Sequence, residues 1–210
     1  MESRSVERTV WLGLGVVVAA VVVAGVWSLR GRPSAETGPP EIAAVPAFTL
    51  VERSGRPISR DDLAGLPWVA DFIFTRCSGT CPALSTRMAE LRRQLREHGL
   101  RARLVSFSVD PSHDTPEVLR DYAQRFGADD GWLFVTGDRD ALHQLIGAGF
   151  RLSVAERSPE QATDGGELIT HSDRFVLVDA AGSIRGYYHG TEPDALTALL
   201  RDLTALQPSG

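Results

Sequence analysis

Residues 9 to 29, TVWLGLGVVVAAVVVAGVWSL, run for 21 positions without a charge. No other feature limits the chain so strongly, because a helix of that length rises about 31 Å, which matches the hydrocarbon core of a bilayer. Trp11 and Trp27 sit near its two ends, where interfacial aromatics collect, and Arg8 and Arg30 close it. A secretory signal has a shorter apolar region, roughly 7 to 15 residues, followed by a small-x-small cleavage site. No such site stands out after Ala24. The segment therefore reads as an uncleaved transmembrane anchor behind a short tail, residues 1–8. Charge does not orient it, since Arg4 and Arg8 balance Arg30 and Arg32.

Residues 30–46 follow as a linker with four Pro, a semi-stiff tether able to reach about 50 Å when extended. A folded domain is expected over 47–206, with a short tail at 207–210. Across the 210 residues, 43% are hydrophobic and 23% charged, which excludes wholesale disorder and a multi-span membrane protein. All 22 basic residues are Arg, against 27 acidic ones, for a net charge of -5. That balance argues against nucleic acid as a partner, because no basic face is available to displace phosphate counterions. Two Cys exclude both a disulfide-stapled scaffold and a zinc site built from Cys alone.

The domain alternates strands and helices. Phe48 to Glu52 and Arg56 to Ile58, around Ser54-Gly55, read as an N-terminal hairpin. PWVADFIFT, 67 to 75, reads as a buried strand. In the helix after it, Leu84, Met88, Leu91 and Leu95 form one apolar stripe, with Pro82 in the first turn and Gly99 at the end. Arg103 to Val109 is the next strand. Asp114-Thr115-Pro116-Glu117 opens a second helix that Gly127 stops. Trp132 to Thr136 is a third strand, and a helix runs from there to about Ala148. Phe150 to Val154 is read as a short strand and 155 to 170 as a polar loop. Arg174 to Asp179 and Ser183 to Tyr188 form a hairpin, and Pro193 to Leu206 a terminal helix. This order is that of an α/β domain of thioredoxin type with an added N-terminal hairpin.

Cys77 and Cys81 lie in FTRCSGTCP, between the first buried strand and its helix. Free N–H groups and the positive dipole end of a helix N-terminus stabilise thiolate. Helical spacing puts the two Cα atoms about 6.2 Å apart, inside the disulfide range, with both sulfurs on one face. Such a pair can alternate between a disulfide and a chelate for one soft cation. The bland alternative is a static disulfide or two inert thiols, which a solvent-exposed loop-to-helix junction disfavours. Three residues separate the cysteines, where dithiol oxidoreductases of this fold mostly have two.

His171, just before the strand RFVLVD, enters a loop expected to face the cysteines. It offers an imidazole to a two-sulfur, one-nitrogen site, a donor set that suits Cu(I) and can hold Cu(II). A lone His is more often a hydrogen-bonded surface or core residue, and zinc would want a fourth ligand. Asp110 follows a strand as a carboxylate near the cysteines, or simply as a turn residue before Pro111. His98 suits the carbonyls at a helix end, His143 reads as solvated, His189 ends a strand, and His113 is a weak candidate.

Five blocks, FTLVERSGRPIS, DFIFTRCSGTCP, SFSVDPSHDTPEVLRDYA, WLFVTG and HSDRFVLVDAAGSIRGYY, resemble in order and spacing the Sco/SenC family of copper-binding mitochondrial and bacterial proteins. The resemblance covers the whole folded domain. It implies a thioredoxin-like fold behind a membrane anchor, with the domain on the extracytoplasmic side of the inner membrane. It implies copper held by Cys77, Cys81 and His171, with Asp110 at the family's VDP block. It also implies copper delivery to, or thiol maintenance of, the copper centre of cytochrome c oxidase, so that the partners are a copper-bearing oxidase subunit or another copper chaperone. Ser78-Gly79-Thr80 lacks the acidic residue often found between the family's cysteines. The competing class is a thiol–disulfide oxidoreductase acting on exported cysteines, which needs no His171. A peroxidase would need its own cysteine motif, which FTRCSGTCP does not supply.

Overall fold

A computed structural model describes residues 38–77, 79–152, 155–156, 169–170 and 172–207. The anchor segment 9–29, His171 and most of the polar loop lie outside the described residues. Among the described residues, no helix is long and apolar enough to cross a membrane.

The chain runs β1 (Ala43–Ala44), β2 (Thr49–Glu52), β3 (Pro57–Ser59), a 3₁₀ turn (Asp61–Leu63) and β4 (Trp68–Ile73). It continues through α1 (Thr80–Glu97), β5 (Arg103–Ser108), α2 (Pro116–Arg125), β6 (Trp132–Thr136) and α3 (Arg139–Gln144). Then come β7 (Ala155–Glu156), β8 (Ile169–Thr170), β9 (Arg174–Val178), β10 (Ser183–His189) and α4 (Ala195–Ala205). Eight strands form one sheet in the order β1-β10-β9-β4-β5-β6-β2-β3. The central strands β4, β5 and β6 are parallel, β9 pairs antiparallel with β4, and the β2–β3 hairpin is added beside β6.

Local chemistry accounts for the helix ends. Thr115 caps α2 by accepting from the Val118 N–H, with Pro116 as the first helical residue, whose missing N–H costs nothing there. Gly99 and Gly127 both take φ near +65°, the left-handed turn that ends α1 and α2 and that a side chain would strain.

Three details depart from the sequence reading. Ala43 and Ala44, inside the Pro-rich stretch, pair with β10. The third helix ends in a π-helical turn, Leu145–Gly149, and the Leu152 N–H donates back to the Ile146 carbonyl. Phe150 to Leu152 is therefore a helix cap and not a strand. The polar loop is closed at its base, where Ala155–Glu156 pairs with Ile169–Thr170.

β4 is buried at all six positions, so both of its faces meet core. One face carries an aromatic cluster in which Trp68, Phe72, Phe107 and Phe150 meet with ring centroids 5.1–6.4 Å apart. By the two-residue alternation of strands, Val69, Asp71 and Ile73 face the other way. Ser106, the register partner of Asp71 on β5, accepts from the Trp132 indole N–H at 2.9 Å. Tyr122 of α2 packs on Phe134 and exchanges a 2.9 Å hydrogen bond with Ser85 of α1. Asp71 thus lies on the face covered by α1 and α2.

That placement is costly. Asp71 is 0% exposed, and neither carboxylate oxygen has a hydrogen-bond partner among the described residues. Burial pushes its pKa up to about 7. A carboxylate raised in the folded state gives up stability as pH climbs from its unfolded value toward 7, and that loss is complete above 7. Asp71→Asn should therefore stabilise the fold, by as much as ~4 kcal/mol at pH 8 and by little at pH 4. Urea midpoints followed by tryptophan fluorescence at the two pH values check this, and equal shifts at both would refute it.

Candidate metal and redox site

The two cysteines stand at the carboxyl end of β4, where α/β sheets place their reactive groups. Cys77 closes the loop and Cys81 lies in the first turn of α1. They are not joined by a disulfide. The Cys81 N–H donates to the Cys77 Sγ at 3.2 Å, so a sulfur occupies the capping place at the head of α1, where the N-cap residue Gly79 has no side chain to offer.

Both thiols are buried, Cys81 fully and Cys77 to 6% exposure, which corrects the expectation of an exposed pair. Cys81 falls on the same helical stripe as Leu84, Met88, Leu91 and Leu95, and that stripe turns toward the sheet. Among the described residues of this junction, Arg76 and Gly79 are the exposed ones.

The loop is held by carboxylates from the turn that follows β5. Asp114 is buried and accepts from the Thr75 hydroxyl at 2.6 Å, the Thr75 N–H at 3.3 Å and the Ser108 hydroxyl at 2.6 Å. Burial raises its pKa, as does the nearby Asp110 carboxylate, while the Ser108 and Thr75 bonds oppose the rise. Asp110 is also buried, and its Oδ2 accepts from Arg76 Nη2 at 2.5 Å and Nε at 3.2 Å. Asp110 thus pairs with the residue that immediately precedes Cys77.

The other histidines are accounted for. His98 Nδ1 meets the Gln94 carbonyl at 2.9 Å, as its helix-end position suggested. His143 is half-buried, not solvated, with Nε2 3.5 Å from the Val109 carbonyl, because α3 packs along the end of β5. His189 pairs with Asp173, and His113 is exposed. His171 lies outside the described residues. β9 runs antiparallel to β4, so β9 starts at the end of the sheet where the cysteine loop sits. Asp173 accepts from the Gly190 N–H, and a Cβ at Gly190 would stand 2.5 Å from Leu84, one turn beyond Cys81. The Arg87 guanidinium donates to the carbonyls of Gly190, Glu192 and Pro193, which ties α1 to the same turn.

Among the described residues, no three His, Cys, Asp or Glu side chains gather closely enough to hold a metal. The donor chemistry of the pair itself fits a soft cation, with two sulfurs one helical turn apart. The sequence reading missed Asp71, Arg76 and Asp114. A signal existed for the first, an acidic residue inside the apolar run WVADFIF.

A family model described as SCO1/SenC matches residues 36–205. The chain belongs to the SCO1/SenC family. It is 31% identical over 161 residues to a SCO1 protein homolog of Bacillus subtilis, covering 76% of this chain and 80% of that one. Its fold matches BsSco, described as a member of the Sco family of cytochrome c oxidase assembly proteins with a disulfide switch. That match has a TM-score of 0.69 and 29% identity over 80% of this chain and 95% of that one. A copper-bound ScoI of Bradyrhizobium japonicum shares the fold at a TM-score of 0.65 and 22% identity, over 79% of this chain and 100% of that one. The fold is thus a Sco-type, thioredoxin-like α/β domain.

In this Sco-type domain Thr75 carries the loop's attachment to Asp114. Thr75→Val keeps the side-chain shape and removes the donor, so it should cost about 1–3 kcal/mol of stability. Chemical denaturation checks this, and a change within error would show that the hydroxyl is not needed.

Proposed function

We propose that this chain is a membrane-anchored copper carrier that binds copper through Cys77, Cys81 and His171 and helps to assemble the copper centre of cytochrome c oxidase. The observation that carries the reading is the thiol pair at the head of α1, at the same end of the sheet as the start of β9. Two thiolates favour Cu(I), and an imidazole supplies a third donor without forbidding Cu(II). The family supports the same reading, as does the copper found in a structural neighbour.

In such a carrier each side chain has a distinct task. Cys77 and Cys81 hold the cargo and must lose their protons to do so. Asp114 fixes the loop through Thr75, and Asp110 holds Arg76 beside Cys77. The Arg76 guanidinium, more than half exposed, is the cation nearest in sequence to the pair and is positioned to meet an acidic partner surface.

A thiol–disulfide exchange role is the second reading. It is favoured by the close approach of the Cys81 N–H to the Cys77 sulfur and by the disulfide switch described for BsSco. His171 separates the two, since exchange does not require it.

The reduced full-length chain in detergent should bind one Cu(I) tightly, and Cys77→Ser should abolish that binding. Unchanged stoichiometry and affinity in the variant, measured by competition with a chromophoric Cu(I) chelator, would sink the site. His171→Ala should weaken binding while leaving thiol–disulfide exchange intact.

The anchor at 9–29 is proposed to hold the domain outside the cytoplasm, where the pair is able to oxidise. A C-terminal fusion to a reporter that folds only in an oxidising compartment should be active, and activity restricted to a cytoplasmic reporter would reverse the assignment.

A further inference from the structure

The net charge of -5 conceals an uneven distribution. Residues 92–103, RRQLREHGLRAR, hold five Arg and a single acidic residue, Glu97. Arg93 is neutralised by Glu90 and Glu97 along one side of α1. Arg92, Arg96 and Arg101 instead rim a cavity of about 270 Å³ floored by Leu95, Leu100 and Leu104. Asp129 is the one carboxylate in the lining, and it meets both Arg92 and Arg96. Three guanidinium groups against one carboxylate leave the rim cationic. Burial lowers the Arg92 pKa, and the charges on Arg96 and Arg53 lower it further, as crowded cations do. The Arg96 side chain is 62% exposed, and Arg101 is exposed with no carboxylate paired to it among the described residues.

The chain enters the domain at this same pole. Gly38 lies against the end of α4, where a Cβ on it would stand 3.0 Å from Leu206. The next residue, Gln207, brackets Arg101. Its side chain accepts from the Arg101 N–H at 3.1 Å and donates to the Arg101 carbonyl at 3.2 Å. Beyond Gly38 the backbone is fastened down. Arg185 donates to the Pro39 carbonyl at 2.8 Å, Ala43 and Ala44 pair with β10, and Arg60 donates to the Val45 carbonyl at 3.2 Å. The stretch from Gly38 to Pro46, read from sequence as part of a tether, therefore belongs to the folded domain. Eight residues, 30–37, separate Gly38 from the apolar span, and eight residues cover at most about 29 Å. With that span in a bilayer, Gly38 stays within this distance of the headgroups, and the arginine rim beside it faces the same surface.

We propose that this pole seats the domain on the membrane, the arginine-rimmed cavity taking the phosphate of an anionic phospholipid. The proposal rests on the anchor reading given above. Guanidinium groups meet phosphate oxygens in a bidentate fork, and the leucine floor offers apolar surface to the glycerol carbons. Basic side chains next to a membrane span are drawn to anionic lipid in the same way. Seating also sets the direction of the thiol pair. Cys81 and Arg96 are fifteen residues apart on α1, about 22 Å along its axis, so the cysteines point away from the bilayer.

The test reads arginine accessibility. The full-length chain is placed in nanodiscs of phosphatidylcholine alone, or of phosphatidylcholine with about one third phosphatidylglycerol. Each sample is treated briefly with phenylglyoxal, and modified arginines are located by mass spectrometry. Arg96 and Arg101 should react several-fold more slowly in the phosphatidylglycerol discs, while Arg76, at the cysteine end, reacts equally in both. About 1 M salt should abolish the difference, since it shortens the screening length to about 3 Å. Arg101→Gln should return Arg96 to its reactivity in phosphatidylcholine discs. Asp129→Asn, which keeps the acceptor for the Gly131 N–H, should deepen the protection. Equal reactivity of Arg96 and Arg101 in both discs, or protection of Arg76 instead, would overturn the seating and leave the anchor standing. Equal protection by free glycerol phosphate in phosphatidylcholine discs would overturn the lipid as the occupant. A chain that co-purifies with neither disc would overturn the anchor and the seating together.

Discussion

Six consecutive pairs, from Trp68–Arg103 to Ile73–Ser108, lock β4 and β5 in parallel, and the site depends on that register. It brings the carboxyl ends of the two strands level. The cysteine loop leaves one end and the Asp110–Asp114 turn leaves the other, so a carboxylate from the second reaches a threonine in the first. A slip of β4 by one residue would turn Asp71 into the aromatic face and bring Phe72 out of it. The Phe72–Phe107 contact, stacked at 5.9 Å, and the Phe72–Phe150 contact at 5.1 Å oppose that slip. The chemistry of one face is thus held in place by the packing of the other.

Around the cysteines three carboxylates are withdrawn from water, and each is handled differently. Asp114 is satisfied by donors from Thr75 and Ser108, and Asp110 is paired with Arg76. Asp71 has neither solution. The first two are structural in effect, since removing a donor or the guanidinium leaves a buried acceptor unmatched.

Much of this was legible in the sequence. The β4 run WVADFIF is uniformly apolar apart from one residue, and the α1 stripe from Leu84 to Leu95 repeats at helical spacing, so the strand and helix that frame the cysteines were read correctly. The cap at Thr115-Pro116 and the stop at Gly127 follow from side-chain and backbone chemistry that acts locally. Burial of the cysteines was not legible, because it depends on which side of the first helical turn meets the sheet, a tertiary fact. The same holds for His143, whose half-buried place is set by the approach of α3 to β5. Ala43 and Ala44 carry too little apolar surface to announce a strand. Their pairing with β10 is made by backbone hydrogen bonds, among them those from the Ile42 and Val45 N–H groups to Ile184 and Gly182, which no side-chain pattern announces.

The two outer strands of the sheet have a consequence for how another protein can engage it. β1 is two residues long, and β3 is three residues long and begins with Pro57, which has no N–H to give. Short borders of this kind, one of them interrupted by proline, are poor templates for a foreign strand. Recruitment by sheet extension is disfavoured on both flanks. The end of the sheet where Arg76 and Gly79 reach solvent has no such border, so a visitor that docks there meets the same turn that carries the thiol pair.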